Sequence, residues 1–234
     1  MHWPQWVFVA LVIFMTFNAV LPPVDWREIA VKLFIWGGLT IVLFLGGFFS
    51  QACAQQVPSN AARYRADLVR TAHSQWGLDA PVAALAAQVH QESGWNPSAV
   101  SQVGAVGMGQ FMPTTATWWC QLNNMTADQC QPRNPVWALQ ALVGYDKWLH
   151  DRVRGADGRN RFAFALSAYN GGLGWVNRDK ALASGKGLDP LVWFGSVDQV
   201  NAGRTAAAWK ENRAYPKRII QVLQPLYLSW GPGV

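Results

Sequence analysis

No stretch of this chain alternates apolar and polar residues for long enough to form a sheet face, and no internal repeat is visible. All-β and solenoid architectures therefore drop out, and a mainly α chain remains. No Cys/His spacing matches a metal site: His90-Gln91-Glu92 lacks the second His of a zinc helix. The glycines of 104–109 come after no strand and lack the Lys of a phosphate loop, which removes phosphate binding. No nucleic-acid motif is present, and the arginines are scattered rather than clustered. No Lys or Arg precedes the first apolar run, which speaks against a simple cleavable leader.

Acidic residues are also scarce. The 234 residues hold 13 Asp and Glu against 19 Lys and Arg, for a net charge of +6. Residues 1–53 carry only Asp25, Arg27, Glu28 and Lys32, which cancel, so residues 54–234 hold the whole excess. A basic globular part suits a polyanionic partner or surface. Cysteine is limited to Cys53, Cys120 and Cys130. The close pair can bridge a short excursion if the domain is exported, which leaves Cys53 as the odd one.

Tryptophan, by contrast, is abundant, with 14 in the chain. Trp3 and Trp6 lie where interfacial tryptophan is expected beside an apolar run. Most of the others suit a Trp-rich core, and a few could stack on sugar rings in a cleft.

Two apolar runs, about 3–22 and 29–50, are separated by Leu21-Pro-Pro-Val-Asp25. Each approaches the roughly 20 residues needed to cross a bilayer. They predict a transmembrane helical hairpin over 1–50, with 51–60 as a polar linker and 61–234 as the globular domain. Arg27 and Lys32 place the short loop in the cytoplasm. The globular domain then faces outward, on the side of the membrane away from the cytoplasm. A single anchor, with the first run cleaved or interfacial, is the alternative.

Within the globular part Asn60 is a candidate cap for a helix over 61–76 that Gly77 closes. Pro81 suits the start of an Ala-rich helix over 81–92. Residues 94–110 read as loop, and Pro113 opens a helix to Leu122. Further helices are expected over 136–153 and 161–169, and over 205–228 with an interruption at Pro216. Residues 172–204 are Gly-rich and give no assignment.

Glu92 stands at the end of an apolar helix, with Trp95 close behind it. Burial there would keep its carboxyl protonated and able to act as an acid near neutral pH. The residues after it form a specific series: Glu92-Ser93, Asn96-Pro97, Ala99-x-Ser101, Gly104-Ala105-x-Gly107, Gln110 and Met112-Pro113. Ala168-Tyr169-Asn170-Gly171 lies farther on, and Glu211-Asn-Arg-Ala-Tyr215 near the end. In these motifs and spacings the chain resembles the lytic transglycosylases, a goose-lysozyme-like family that cleaves the glycan strands of bacterial peptidoglycan. The likeness covers roughly 60–228. The chain departs at Gly109, where the family has a larger residue before the Gln. That glycine would loosen the loop and alter the shape of a subsite.

The resemblance implies a lysozyme-like helical domain with a substrate cleft and no cofactor or metal. Glu92 would be the single catalytic acid and base. Ser101 and Gln110 would bind polar groups of the substrate, with Met112 packing beside it. Tyr169 would hydrogen-bond and orient Glu92, Asn170 would hold the turn that presents Tyr169, and Tyr215 would line the cleft. Each has a plainer alternative: Ser101 and Gln110 as turn or helix caps, and Met112, Tyr169 and Tyr215 as core. No motif marks a second carboxylate that would activate water; Asp128, Asp146 and Asp151 are candidates only in principle. The competing readings are a hydrolysing lysozyme on the same scaffold and an inactive wall-binding or assembly module.

Overall fold

The structure, a computed structural model, describes residues 56–234. Both predicted membrane runs and half of the linker lie outside the described residues. Among the described residues no helix is long and apolar enough to cross a membrane.

The described part is helical, and its strand content is two isolated bridges, Val100 with Val106 and Val106 with Phe111. A 3-10 turn, Ala61–Tyr64, leads into α1, Arg65–Trp76. The predicted single helix is thus split. Asn60 makes no side-chain cap; its amide donates instead to the carbonyl of Trp95 at 2.9 Å. Next in order come α2, Val82–Ser93; α3, Pro113–Leu122; α4, Pro135–Arg152; α5, Gly158–Gly171; α6, Leu173–Gly185; and α7, Ala206–Lys217. A π-helical stretch, Arg218–Leu223, and a 3-10 turn, Gln224–Tyr227, complete the order. The irregularity after α7 has a local cause. Pro216 has no N–H to donate to the helical ladder, so regular α geometry gives way within two residues.

Local chemistry fixes the helix starts. Asn134 accepts hydrogen bonds from the backbone N–H groups of Val136 and Trp137, with Pro135 in the first helical position. Asp157 accepts from the N–H of Asn160 at 2.7 Å, which starts α5 earlier than the predicted 161. Thr205 accepts from Ala208 at the start of α7. The unassigned stretch holds α6, whose apolar face is narrow: Val176 and Ala183 are its buried apolar residues.

The core is built around α5, where Phe162 to Ala168 are buried without a break. A helix buried on every side is a central one, and α4, α6 and α7 all pack against it. Burying Phe162, Phe164 and Leu166 contributes roughly 1.5–3 kcal/mol each. On the other side α2 buries Val82 to Val89 without a break and packs on the π-helical and terminal 3-10 segments. Its alanines let those neighbours approach closely. Cys120 and Cys130 are joined by a disulfide that closes a ten-residue separation, tying the end of α3 to the segment before α4.

Candidate active site

Glu92 occupies the last turn of α2. A helix C-terminus carries partial negative charge, so this position already disfavours a second negative charge on the carboxyl. Behind it the chain turns through Gly94 and Trp95, both with left-handed φ (58° and 66°). Trp95 is fully buried, stacks on Tyr64, contacts Trp230 and donates its indole N–H to the Tyr227 hydroxyl at 2.9 Å. It anchors the turn on the side away from the cleft. Trp95 does not line the cleft, and the walls around the Glu92 carboxyl are other residues.

Those walls enclose a cleft of about 270 Å³ lined by Glu92, Ser101, Val103, Ala105, Gln110, Phe111, Met112, Thr115, Tyr145, Tyr169, Asn170 and Glu211. Six of the seven predicted site residues are brought together here. The seventh, Tyr215, is buried behind the cleft, and its hydroxyl donates to Glu92 Oε1. The hydrogen bond to Glu92 expected of Tyr169 is thus made by Tyr215. Tyr169 donates instead to the carbonyl of Gly109 at 2.7 Å.

That contact revises the role of Gly109. A Cβ there would lie 2.8 Å from the Phe111 ring and 3.2 Å from the Tyr169 hydroxyl. The glycine makes room for both rings and fastens the loop to α5, where loosening was expected. The loop is held at other points as well. Ser93 donates to the Met108 carbonyl at 3.0 Å, and Val106 and Phe111 exchange backbone hydrogen bonds at 3.0 and 3.1 Å.

Ser101 Oγ accepts from the N–H of Ala105 at 2.9 Å, so the turn cap is real and its own hydroxyl hydrogen is left for a ligand. The Gln110 amide donates to the Gly107 carbonyl at 2.9 Å, from a backbone with φ of 50°. A bulky residue in the left-handed region costs energy, and such residues gather where function demands a fixed geometry. Met112, 39% exposed, forms the rim. Asn170, in the last turn of α5, donates to Glu211 Oε1 at 3.2 Å and accepts from Asn212 at 3.0 Å. It joins α5 to α7, where a turn-holding role was expected.

Glu92, only partly exposed at the cleft floor, has its pKa raised to about 8. Burial is the largest cause; the Tyr215 hydrogen bond opposes it, and the charge of Glu211 adds to it. The hydroxyls of Tyr169 and Tyr215 are pushed well above the usual phenol range, chiefly by burial. Both phenols therefore act as neutral hydrogen-bond donors.

Several groups of this site escape a reading of the sequence. Glu211 belongs to a recognisable motif, yet that motif alone does not assign it to the cleft. Its spacing of four from Tyr215 puts both on one face of α7, which is the signal that could have found it. Tyr145 and Phe111 carry no comparable signal, because large aromatics at such positions read as core. The support beneath α7 is equally hidden. Buried Asp179 on α6 pairs with Arg204 and with Arg213, the latter at 2.8 Å. Arg213 donates onward to Asn212 at 2.6 Å, and Asn212 exchanges hydrogen bonds with Ser167. This network fixes the α5–α7 seam from which Tyr169, Glu211 and Tyr215 project. Among the described residues no group of three His, Cys, Asp or Glu could hold a metal.

A family model described as the transglycosylase SLT domain matches residues 67–191, more than half of the chain. The membrane-bound lytic murein transglycosylase F of Shewanella sediminis is 35% identical over 113 residues, covering 47% of this chain and 21% of that protein. The protein of the same name from Stutzerimonas stutzeri is 28% identical over 182 residues, covering 77% and 34%. The chain thus spans about a fifth to a third of the length of these curated relatives. The 70 kDa soluble lytic transglycosylase of Escherichia coli superposes with a TM-score of 0.52 at 23% identity, over 72% of this chain and 25% of that one. A solved complex of a 70 kDa soluble lytic transglycosylase with bulgecin A gives 0.50 at 24% identity, over 72% and 25%. At these identities the two structures speak for the lysozyme-like helical fold.

Proposed function

The chain belongs to the transglycosylase SLT domain family, and on that premise we propose that it is a membrane-anchored peptidoglycan lytic transglycosylase. It cleaves the β-1,4 bond between N-acetylmuramic acid and N-acetylglucosamine without consuming water. The observation that carries this reading is the Glu92 carboxyl, at the floor of the cleft with a pKa of about 8 and a hydrogen bond from Tyr215.

Protonated near neutral pH, Glu92 gives its proton to the glycosidic oxygen as the bond to the anomeric carbon breaks. The N-acetyl group of the muramic acid stabilises the cationic centre. The Glu92 carboxylate, now accepting from Tyr215, then removes the proton of the C6 hydroxyl as that oxygen closes on the anomeric carbon. The product is a 1,6-anhydromuramoyl end, and Glu92 is returned to its acid form. A group that serves first as acid and then as base works best with a pKa near the working pH. Ser101 and Gln110 hold polar substituents of the glycan, Met112 covers the rim, and Tyr169 and Asn170 fix the shape of the wall.

The runs at about 3–22 and 29–50 anchor the enzyme in the inner membrane, with the domain in the periplasm beside its substrate. The Cys120–Cys130 bond suits that oxidising compartment. One observation favours a second reading. Glu211 shares the cleft with Glu92 and acts on its charge, and a second carboxylate is what a hydrolysing lysozyme needs.

The test is mass spectrometry of the fragments that the full chain releases from purified peptidoglycan, beside Glu92→Gln. Anhydromuramoyl ends that disappear in the variant support the proposal. Reducing ends select the lysozyme. Retention on the wall without release, by both proteins, makes the chain a binding module.

A further inference from the structure

Directly behind the site lies a second acid that the mechanism does not use. Asp146 of α4 is fully buried, and so is Gln88 of α2, one turn before Glu92. Gln88 Nε2 donates to Asp146 Oδ1 at 3.3 Å. The remaining side-chain oxygens of this pair, Gln88 Oε1 and Asp146 Oδ2, are both buried and both lack a hydrogen-bond partner. Two orphaned acceptors on one bonded pair are short of a single donor. An ionised Asp146 would leave both unsatisfied and would bury a charge with no cation on it. Its sequence neighbour Lys147 is engaged with Asp151 at 2.6 Å. One proton on Oδ2, donated to Oε1, closes a reciprocal acid–amide ring and satisfies both groups at once.

We propose that Asp146 carries that proton in the working enzyme, and that the Gln88–Asp146 ring is a neutral backing that holds the proton affinity of Glu92 within its useful range. Asp146 is a positioning residue; it touches no substrate. The titratable groups that feel its charge are Glu92 of α2, Tyr145 of α4, Tyr169 of α5 and Tyr215 of α7. None is a cation, so nothing there would stabilise an anionic Asp146. Burial drives its own pKa well upward, in keeping with the ring. An anionic Asp146 would add a third carboxylate charge beside Glu92 and Glu211. Glu92 would then hold its proton too firmly to part with it.

Infrared difference spectroscopy on the full chain reads the proton directly. In the Glu92→Gln background at pH 7, the carbonyl stretch of an un-ionised carboxylic acid is expected, and it is lost in Glu92→Gln/Asp146→Asn. Absence of that band in Glu92→Gln overturns the proposal. This readout does not depend on the proposed activity. The activity readout rests on that reading: Asp146→Asn keeps an equivalent amide ring, so the alkaline limb of the pH–rate profile stays in place. A limb that moves down by about one pH unit means that a negative charge was removed, and Asp146 was ionised.

Discussion

Tyr215 donates its hydroxyl hydrogen to the carboxyl of Glu92 across 123 positions of sequence. The bond favours the ionised carboxylate, so it offsets part of the rise that burial imposes. Tyr215→Phe keeps the ring and removes the donor. Glu92 then holds its proton to higher pH, and the alkaline limb of the pH–rate profile moves upward from about 8. The maximal rate falls by roughly tenfold, because about 1.5 kcal/mol of a charge-assisted hydrogen bond to the carboxylate is lost. A pH–rate profile of the variant beside the wild type measures both effects.

Glu92 also sets how stability depends on pH. Its folded pKa of about 8 lies above the ordinary 4.5. Between these values the unfolded chain gives up a proton that the folded chain keeps. Rising pH therefore favours unfolding, by at most about 1.4 kcal/mol per pH unit from this group. Glu92→Gln abolishes glycan cleavage, removes this contribution to the slope, and makes the protein more stable than wild type at about pH 8. Urea unfolding of both proteins at about pH 5 and about pH 8 measures it.

The Cys120–Cys130 bond closes a short loop. Chain-entropy reasoning for about ten residues gives roughly 2.5 kcal/mol. Reduction, or Cys120→Ser with Cys130→Ser, lowers unfolding stability by about that amount. Neither cysteine lines the cleft, so activity at low temperature persists. Thermal unfolding with and without reductant checks this.

Among the described residues Asp179 pairs with the buried guanidinium of Arg204 and the partly buried guanidinium of Arg213. Asp179→Ala leaves the buried Arg204 and the partly buried Arg213 unpaired and costs about 3–5 kcal/mol. The damage reaches the site through Asn212, so Tyr215 loses its alignment and the rate falls as well. Denaturant melts and turnover of the same preparation test the two together.

Much of this architecture is legible in the sequence because its signals are local. Pro113 marks a helix start through its own backbone chemistry, and the run after Glu92 carries its spacing in one loop. The features that escape depend on distant partners. Asn60 reads as a cap, yet its amide serves Trp95. Gly109 reads as slack, yet two rings occupy the space that a side chain would fill. The hydrogen bond expected of Tyr169 belongs to Tyr215, since only the packing of α7 on α5 decides which phenol reaches Glu92. The helix α6 gives no signal because few of its residues are apolar and buried. It is held by the ion pairs of Asp179, which no periodicity reveals.

In the proposed mechanism Glu92 alone, acting as acid and then as base, cleaves the strand with the sugar's own hydroxyl. Peptidoglycan digestion by the full chain in water enriched in oxygen-18, read by mass spectrometry of the newly formed muramic acid ends, tests it most directly. Ends that carry no label and weigh one water less than a reducing end are expected. Labelled reducing ends would show that water, and not the C6 hydroxyl, attacks the anomeric carbon, and would overturn that reading.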